Sequence, residues 1–316
     1  VSLCVILYME KTNSKRERLF IIDGYAILYR AHYALIRNPL ITSYGLHTSA
    51  LYGFINQIFK LIKSESPDFL VCAFDSKEKT FRHEIYTDYK ANRPPMPEEL
   101  QNQLPHLWKI LELMNIPIIK KTGFEADDII GTIAQDAEKN GLESFIVSGD
   151  KDFMQLINNH IFMYSPGTRK IPYPVIFTSK KVEEKWGIPP SKIIDLLALM
   201  GDSADNIPGV TGVGKKTAVK LIKQFGSLES ALENADKISN KRVHKGLKEG
   251  VDNAKLSKKL ATIHTSVDLK INIEDFKTKQ LQTNQTIEKF KELEFHAFVK
   301  QLQKIEQNNI KNEKSK

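Results

Sequence analysis

Cysteine is almost missing from this chain: Cys4 and Cys72 are the only two in 316 residues. A disulfide framework is therefore excluded, and a reducing compartment is expected. Long apolar runs are missing as well. The opening VSLCVILY is too short to span a bilayer. Its basic neighbour, KTNSKRER, follows the apolar run, whereas a signal peptide carries its basic residues first. Met9 stands just before that polar stretch, so residues 1–16 read as an N-terminal extension. With no membrane partner and no targeting signal, the expected location is cytoplasmic. The eight histidines are scattered singly, so no zinc-type Cys/His spacing exists. Internal repeats are also lacking.

What remains is ordinary soluble composition, 41% hydrophobic and 27% charged. Lys and Arg number 46 against 38 Asp and Glu, a net +8. That excess suits nucleic acid but also occurs in proteins that never touch it. RLFIID (18–23), DFLVCAFD (68–75) and ESFIVSGD (143–150) read as short buried strands, and IPIIKK (116–121) as a fourth. Helical stretches separate them, which implies a mostly parallel α/β sheet over residues 17–184. From residue 185 to 298 the chain reads as short helices joined by Gly and Pro turns, a second, helical domain. Residues 299–316 are polar and read as a frayed or disordered tail.

Ligands of such sheets bind beyond the carboxyl ends of the strands. Three strands end at or near an aspartate: Asp23, Asp75 and Asp150. After the fourth comes GFEADDII, with Glu125, Asp127 and Asp128 within four positions. One acid would satisfy the dipole of a helix starting there; three exceed that need. Asp152 (in SGDKD) and Asp202 and Asp205 (in GDSAD) complete a set of nine, the last two sharing a face if that turn is helical. Crowded carboxylates repel unless protonated or bridged by cations. Hard divalent ions, Mg²⁺ or Mn²⁺, are the natural bridge, and two of them about 3.5–4 Å apart would clamp a phosphodiester. Setting nine of the 38 acids aside leaves 29 against 46 bases, about +17 for the remaining surface, which suits nucleic-acid phosphates.

Two further stretches carry basic residues. TFRHEIYTDYKANRPP (80–95) spaces Arg82, Tyr86, Tyr89, Lys90 and Arg93 as one helical face, ended by Pro94. The face is either a solvated helix or a surface gripping a single strand by stacking and phosphate contacts. GVTGVGKK (209–216) resembles a Walker A loop, but Lys216 stands where Ser or Thr should bind Mg²⁺, and no strand precedes it. It reads better as a helix–turn–helix in which Gly209, Gly212 and Gly214 permit a tight turn facing a phosphate, followed by Lys215 and Lys216.

IIDGYAILYRAHYAL, FDSKEKTFRHEIYTDYKANRPPMPEEL, GFEADDIIGT, SGDKDFMQL and LALMGDSADNIPGVTGVGKKTA together resemble the 5′→3′ exonuclease family. This is the family of the 5′-nuclease domain at the N-terminus of bacterial DNA polymerase I, related to flap endonucleases. The resemblance runs from residue 18 to about 297, with the motifs in family order. It implies a PIN-like, mostly parallel sheet domain with a helical arch, then a helical domain with a helix–three-turn–helix motif. It implies two or three Mg²⁺ or Mn²⁺ ions. Asp23, Asp75, Glu125, Asp127 and Asp128 would serve the first, and Asp150, Asp152, Asp202 and Asp205 the second. Lys90 and Arg93 would hold the scissile phosphate, with Arg30 as a weaker candidate. Arg82, Tyr86 and Tyr89 would line the arch, and the glycine turn would grip duplex DNA, with K⁺ at that motif. The implied partners are DNA with 5′ ends or flaps and RNA primers on DNA. A nucleoid-associated monomer acting in replication and repair is expected, either stand-alone or part of a polymerase I. A non-catalytic DNA-binding module is the alternative, against which the complete acid set argues.

Overall fold

The computed structural model describes residues 16–168 and 171–313; the expected extension up to residue 15, with Cys4 and Met9, lies outside them. The apolar runs form strands as expected. They are β1 (Arg18–Asp23), β2 (Phe69–Ala73), β3 (Ile118–Ile119) and β4 (Glu143–Val147). Two further strands, β5 (Ile161–Ser165) and β6 (Val175–Phe177), complete a sheet of order β3-β2-β1-β4-β5-β6. All neighbours pair in parallel except β5 with β6. Ile21 lies between Val71 and Ile146, so the central strands are buried on both faces, as their unbroken apolar runs require. The fourth strand is shorter than the 116–121 expected. Pro117 has no N–H to give, and it joins the ladder only by accepting from Cys72 N.

Alternate strand residues feed two cores. Phe20, Ile22, Leu70, Cys72 and Phe145 face α1 (Gly24–Ala34), α2 (Ser49–Glu65) and, beyond two short helices, α3 (Phe81–Ile85) and α4 (Glu98–Gln101), the helix α5 (Leu104–Leu113). Leu19, Ile21, Val71 and Ile146 face α6 (Ala126–Lys139). The same core continues into α7 (Ser179–Trp186), α8 (Ile193–Met200), α9 (Lys215–Phe225), α10 (Leu228–Glu233), α11 (Lys241–Glu249) and α12 (Val251–Ala261).

The segment expected to form one helical unit over 185–298 divides. Its last helix, α13 (Thr283–Glu292), returns to the sheet domain, and Phe290 meets Phe59 of α2 edge-on at 6.2 Å. The expected frayed tail is also corrected: α14 (His296–Glu313) is helical, with Phe298 stacked on Tyr52 at 4.7 Å. Its few apolar residues, Phe298, Val299 and Leu302, recur on one buried face, which a reading of overall polarity overlooks.

Candidate metal centre

The strand order reverses at β1, with β2 on one side and β4 on the other, so a crevice opens beyond their carboxyl ends. Asp23 closes β1 and caps α1, accepting from Ala26 N at 3.3 Å and from Ser148 Oγ at 2.8 Å. Ser148 Oγ in turn accepts from Asp150 N at 3.0 Å, tying the ends of β1 and β4 together. Asp75, just past β2, accepts from Ala126 N at 2.8 Å and so reaches the start of α6. Glu125 and Asp128 form a capping box at that start. Asp150 caps the following turn through Asp152 N at 2.9 Å.

Asp202 and Asp205 stand on a loop that is not helical, contrary to the condition set above. An antiparallel bridge between Asp202 and Ile207 closes it, with N···O distances of 2.8 and 3.0 Å. Gly201 and Gly209, at φ +69° and +64°, pack against each other beneath it. A Cβ on Gly201 would fall 2.5 Å from Ile207 O, so both positions need glycine.

The basic stretch is not one helical face. Only Phe81–Ile85 is helix; Tyr86–Arg93 is a chain of turns, with Lys90 in the left-handed region at φ +57°. This segment is laced to the aspartate loop: Lys90 N donates to Asp205 O (3.0 Å), Asn206 Nδ2 to Asp88 O (2.8 Å) and Asn92 Nδ2 to Ser203 O (2.7 Å). Lys90 Nζ lies 2.7 Å from Glu125 Oε1, Tyr89 OH donates to Glu125 Oε2 at 3.1 Å, and Arg93 pairs with Asp205. Arg30 points elsewhere, donating to Pro166 O at 3.0 Å and to Gly167 O.

Arg82 and Asp128 leave the roles expected of them. Arg82 is 2% exposed and Asp128 is fully buried, and they form a bidentate pair with both N···O distances 2.7 Å. Asp128 also accepts from Glu125 N (3.1 Å) and His264 N (2.8 Å), while Arg82 donates to Leu260 O (2.9 Å) and Thr262 O (2.8 Å). Both carboxylate oxygens are thus occupied by protein donors, and the guanidinium cannot reach a nucleic-acid strand. Tyr89 is buried too and serves Glu125. No sequence signal links positions 46 residues apart such as 82 and 128. Lys151, which pairs with Asp202, did have one: it stands between Asp150 and Asp152.

Charge divides the remaining acids into two groups. Burial, abetted by Asp75 and Asp150 and opposed by Ser148, pushes Asp23 up to about 7. Burial raises Asp127 well above its ordinary value, with Asp150 and Asp23 adding repulsion. Burial raises Asp75 as well, and with Asp150 it pushes Asp152 up to about 7. By contrast Glu125 is lowered: burial opposes ionisation, but Lys90 and Arg82 outweigh it. Lys151 does the same for Asp202. In the first group Asp23, Asp75 and Asp127 make no ion pair among the described residues, and Asp152 has only Lys151 Nζ at 3.9 Å, its Oδ1 buried without a hydrogen-bond partner. Side chains as they stand make no cage of three ligands among the described residues. The donor set nevertheless fits a hard divalent ion. Asp23, Asp75, Asp127, Asp150 and Asp152 supply only oxygen donors, and their mutual repulsion is what a hard cation would relieve.

A stability test follows from these shifts. An acid with a raised folded pKa binds more protons folded than unfolded between the two values. Its contribution is therefore greatest at low pH and is lost as pH climbs from 3.8 to about 7. EDTA-treated protein should melt at a higher temperature at pH 6 than at pH 8, and Asp152→Asn should narrow that gap. An unchanged gap in Asp152→Asn would contradict the charge division.

At the glycine turn, Gly209 and Gly212 have positive φ, whereas Gly214 is extended and caps α9. Gly209 N donates to Ser257 Oγ at 2.9 Å, so it does not face a phosphate. Lys215 Nζ lies 3.8 Å over the Trp186 ring, and Lys216 is exposed.

A parallel sheet with clustered acids at its carboxyl edge, joined to a helical segment with an exposed lysine pair at a glycine turn, defines a class of phosphodiester-handling α/β proteins. Residues 18–187 match the family model for the 5′-3′ exonuclease N-terminal resolvase-like domain, and residues 188–284 the 5′-3′ exonuclease C-terminal SAM fold. The chain belongs to the 5′-3′ exonuclease family, an enzyme family, as its motifs had indicated. It is 40% identical to a 5′-3′ exonuclease of Aquifex aeolicus, over 91% of this chain and 96% of that one. It is 41% identical to DNA polymerase I of Bacillus subtilis over 92% of this chain but 32% of the polymerase. The T5 D15 protein co-crystallized with metal ions shares the fold at TM-score 0.65 and 19% identity, covering 92% of this chain and 99% of that one. So does the catalytic core of Rad2 in complex with DNA substrate, at TM-score 0.58 and 16% identity, covering 91% and 89%. Among the described residues no helix is long and apolar enough to cross a membrane.

Proposed function

We propose that this chain is a metal-dependent 5′→3′ exonuclease and structure-specific 5′ flap endonuclease. It hydrolyses phosphodiesters of DNA, and of RNA primers on DNA, in replication and repair. The observation carrying this reading is the cluster of carboxylates at the sheet's carboxyl edge, in which Asp23, Asp75 and Asp127 make no ion pair with a protein cation among the described residues. Two or three Mg²⁺ or Mn²⁺ ions held there would supply Lewis-acid chemistry for attack by water and departure of the leaving oxygen. Asp23, Asp75 and Asp127 would hold the first, with Glu125 at its border, and Asp150, Asp152, Asp202 and Asp205 the second.

Lys90 and Arg93, which pair with Glu125 and Asp205, would hold the scissile phosphate. Tyr86 and the turns around it border the single strand. Lys215, Lys216 and Gly212 grip the duplex, with a K⁺ site at the same turn. The enzyme acts as a monomer in the cytoplasm, near the nucleoid. A second reading, a segment of a bifunctional DNA polymerase I, is supported by the polymerases whose length this chain spans by about a third; the length of the encoding reading frame separates the two.

The test uses a flap substrate labelled at its 5′ end. With Mg²⁺ the label should leave on short products cut near the flap junction, and EDTA should abolish the reaction. Equal release from a 3′ end, or cleavage undiminished in EDTA, would overturn the reading.

A further inference from the structure

Beside the Arg82–Asp128 pair, whose partners Thr262 and His264 line it, a groove of about 730 Å³ runs between α3, α12 and residues 262–266. Two of its lining side chains, Phe81 and His264, are rings backed by Phe124. His264 stacks on Phe124 with centroids 5.6 Å apart and planes 18° apart, and Phe81 tilts against Phe124 at 5.8 Å. The Arg82 guanidinium backs Phe81 at 4.6 Å. His264 is exposed, and beside it Ile85 leaves 46% of its surface in solvent.

The opposite wall is cationic. Lys255 and Lys259 lie one helical turn apart on α12, both exposed, and neither makes an ion pair among the described residues. The groove's one acid, Glu229, is neutralised by Lys258, which also holds Asp195. The groove adjoins the reaction site along the chain. Phe124 directly precedes Glu125, and His264 N donates to Asp128, the neighbour of Asp127.

We infer that this groove holds unpaired nucleotides of the displaced 5′ strand, bases on the His264 and Phe81 rings and phosphates on Lys255 and Lys259. Rings and free cations side by side are what a single strand requires, because its bases have open faces and its phosphates need counter-charge. A duplex cannot use these rings, since its base faces are already stacked on one another. The assignment of the strand as a 5′ flap rests on the proposed function. Apart from Ile85, the groove residues lie outside the 82–93 stretch, and α12 and the 262–266 segment belong to the helical part of the chain.

Two substrates sharing one nicked duplex, with and without an oligothymidine 5′ flap, test this in EDTA by fluorescence anisotropy. The Lys255→Ala/Lys259→Ala double variant should weaken binding of the flapped substrate about tenfold. Its log K against log salt slope should become shallower by about 1.4, two contacts at about 0.7 each for single strands. Binding of the flapless substrate should stay within about twofold. His264→Ala should abolish photocrosslinking of a flap carrying 5-iodouracil, and His264→Trp should restore flap affinity by returning a stacking surface. Equal weakening on both substrates, no weakening on either, or competition by an acidic peptide in place of the flap would overturn the inference. Wild-type cleavage of the flap in Mg²⁺ is scored separately. Should wild type bind but not cut, the nuclease reading fails and the groove stands; should it cut while the variants bind normally, the groove alone fails.

Discussion

Asp127→Ala is expected to slow single-turnover cleavage of a 5′ flap by at least about a thousandfold, the several kcal/mol that ion-assisted phosphodiester hydrolysis draws from its ligands. Affinity for the flap substrate measured in EDTA should change by less than about threefold, because Asp127 is no surface cation and neutralises none. The reason lies in its position. Asp127 follows the cap of α6 and meets repulsion from Asp150 and Asp23, the ends of two other strands. Burial is the larger penalty on its charge and that repulsion adds to it, while Lys90 relieves only part. Removing the carboxylate therefore removes charge that only a bound cation would compensate. Binding of Mn²⁺, followed by electron paramagnetic resonance, should weaken in parallel. Wild-type rates at saturating Mg²⁺ would refute the assignment.

Asp128→Ala, one residue on, should behave in the opposite way. It should destabilise the fold by about 3–5 kcal/mol in urea unfolding, the loss that follows when a buried ion pair is left with one partner. Arg82→Ala should lose a similar amount, and the double variant much less than the sum. Arg82 pins three segments at once: its own turn, the start of α6 through Asp128 and Glu125, and the Leu260–Thr262 backbone. At a temperature where Asp128→Ala remains folded, its Mn²⁺ affinity should stay near wild type. Lost metal affinity with unchanged stability would return Asp128 to the ligand set.

These two neighbours show where sequence and structure part. Asp127 and Asp128 are equivalent in GFEADDII: both are acids, both lie in a first helical turn, and both are matched by the family motif. Successive residues on a helix point about 100° apart. One therefore turns toward the strand ends and the other toward Arg82 and His264. A linear motif has no way to express that difference. The same holds for Arg82 and Tyr89, read as strand-gripping groups and found buried against acids. Their spacing suits a helical face, but the backbone beyond Ile85 forms turns laced to the loop at Ser203–Asn206, whose position no local rule supplies.

The sequence by itself determined the parallel sheet, the edge at which the acids gather and the family. Apolar runs buried on both faces, acids at strand ends and motif order are local properties that survive without coordinates. Tertiary structure alone decided which acids face one another and which are neutralised by Arg82, Lys90, Arg93 or Lys151. It alone showed that α14 folds back onto Tyr52 and that His264, stacked on Phe124, shares a groove with Lys255 and Lys259. The physical reason is common to all of these. Ion pairing, burial and stacking depend on distances between segments tens to more than two hundred residues apart, and those distances exist only once the chain has packed.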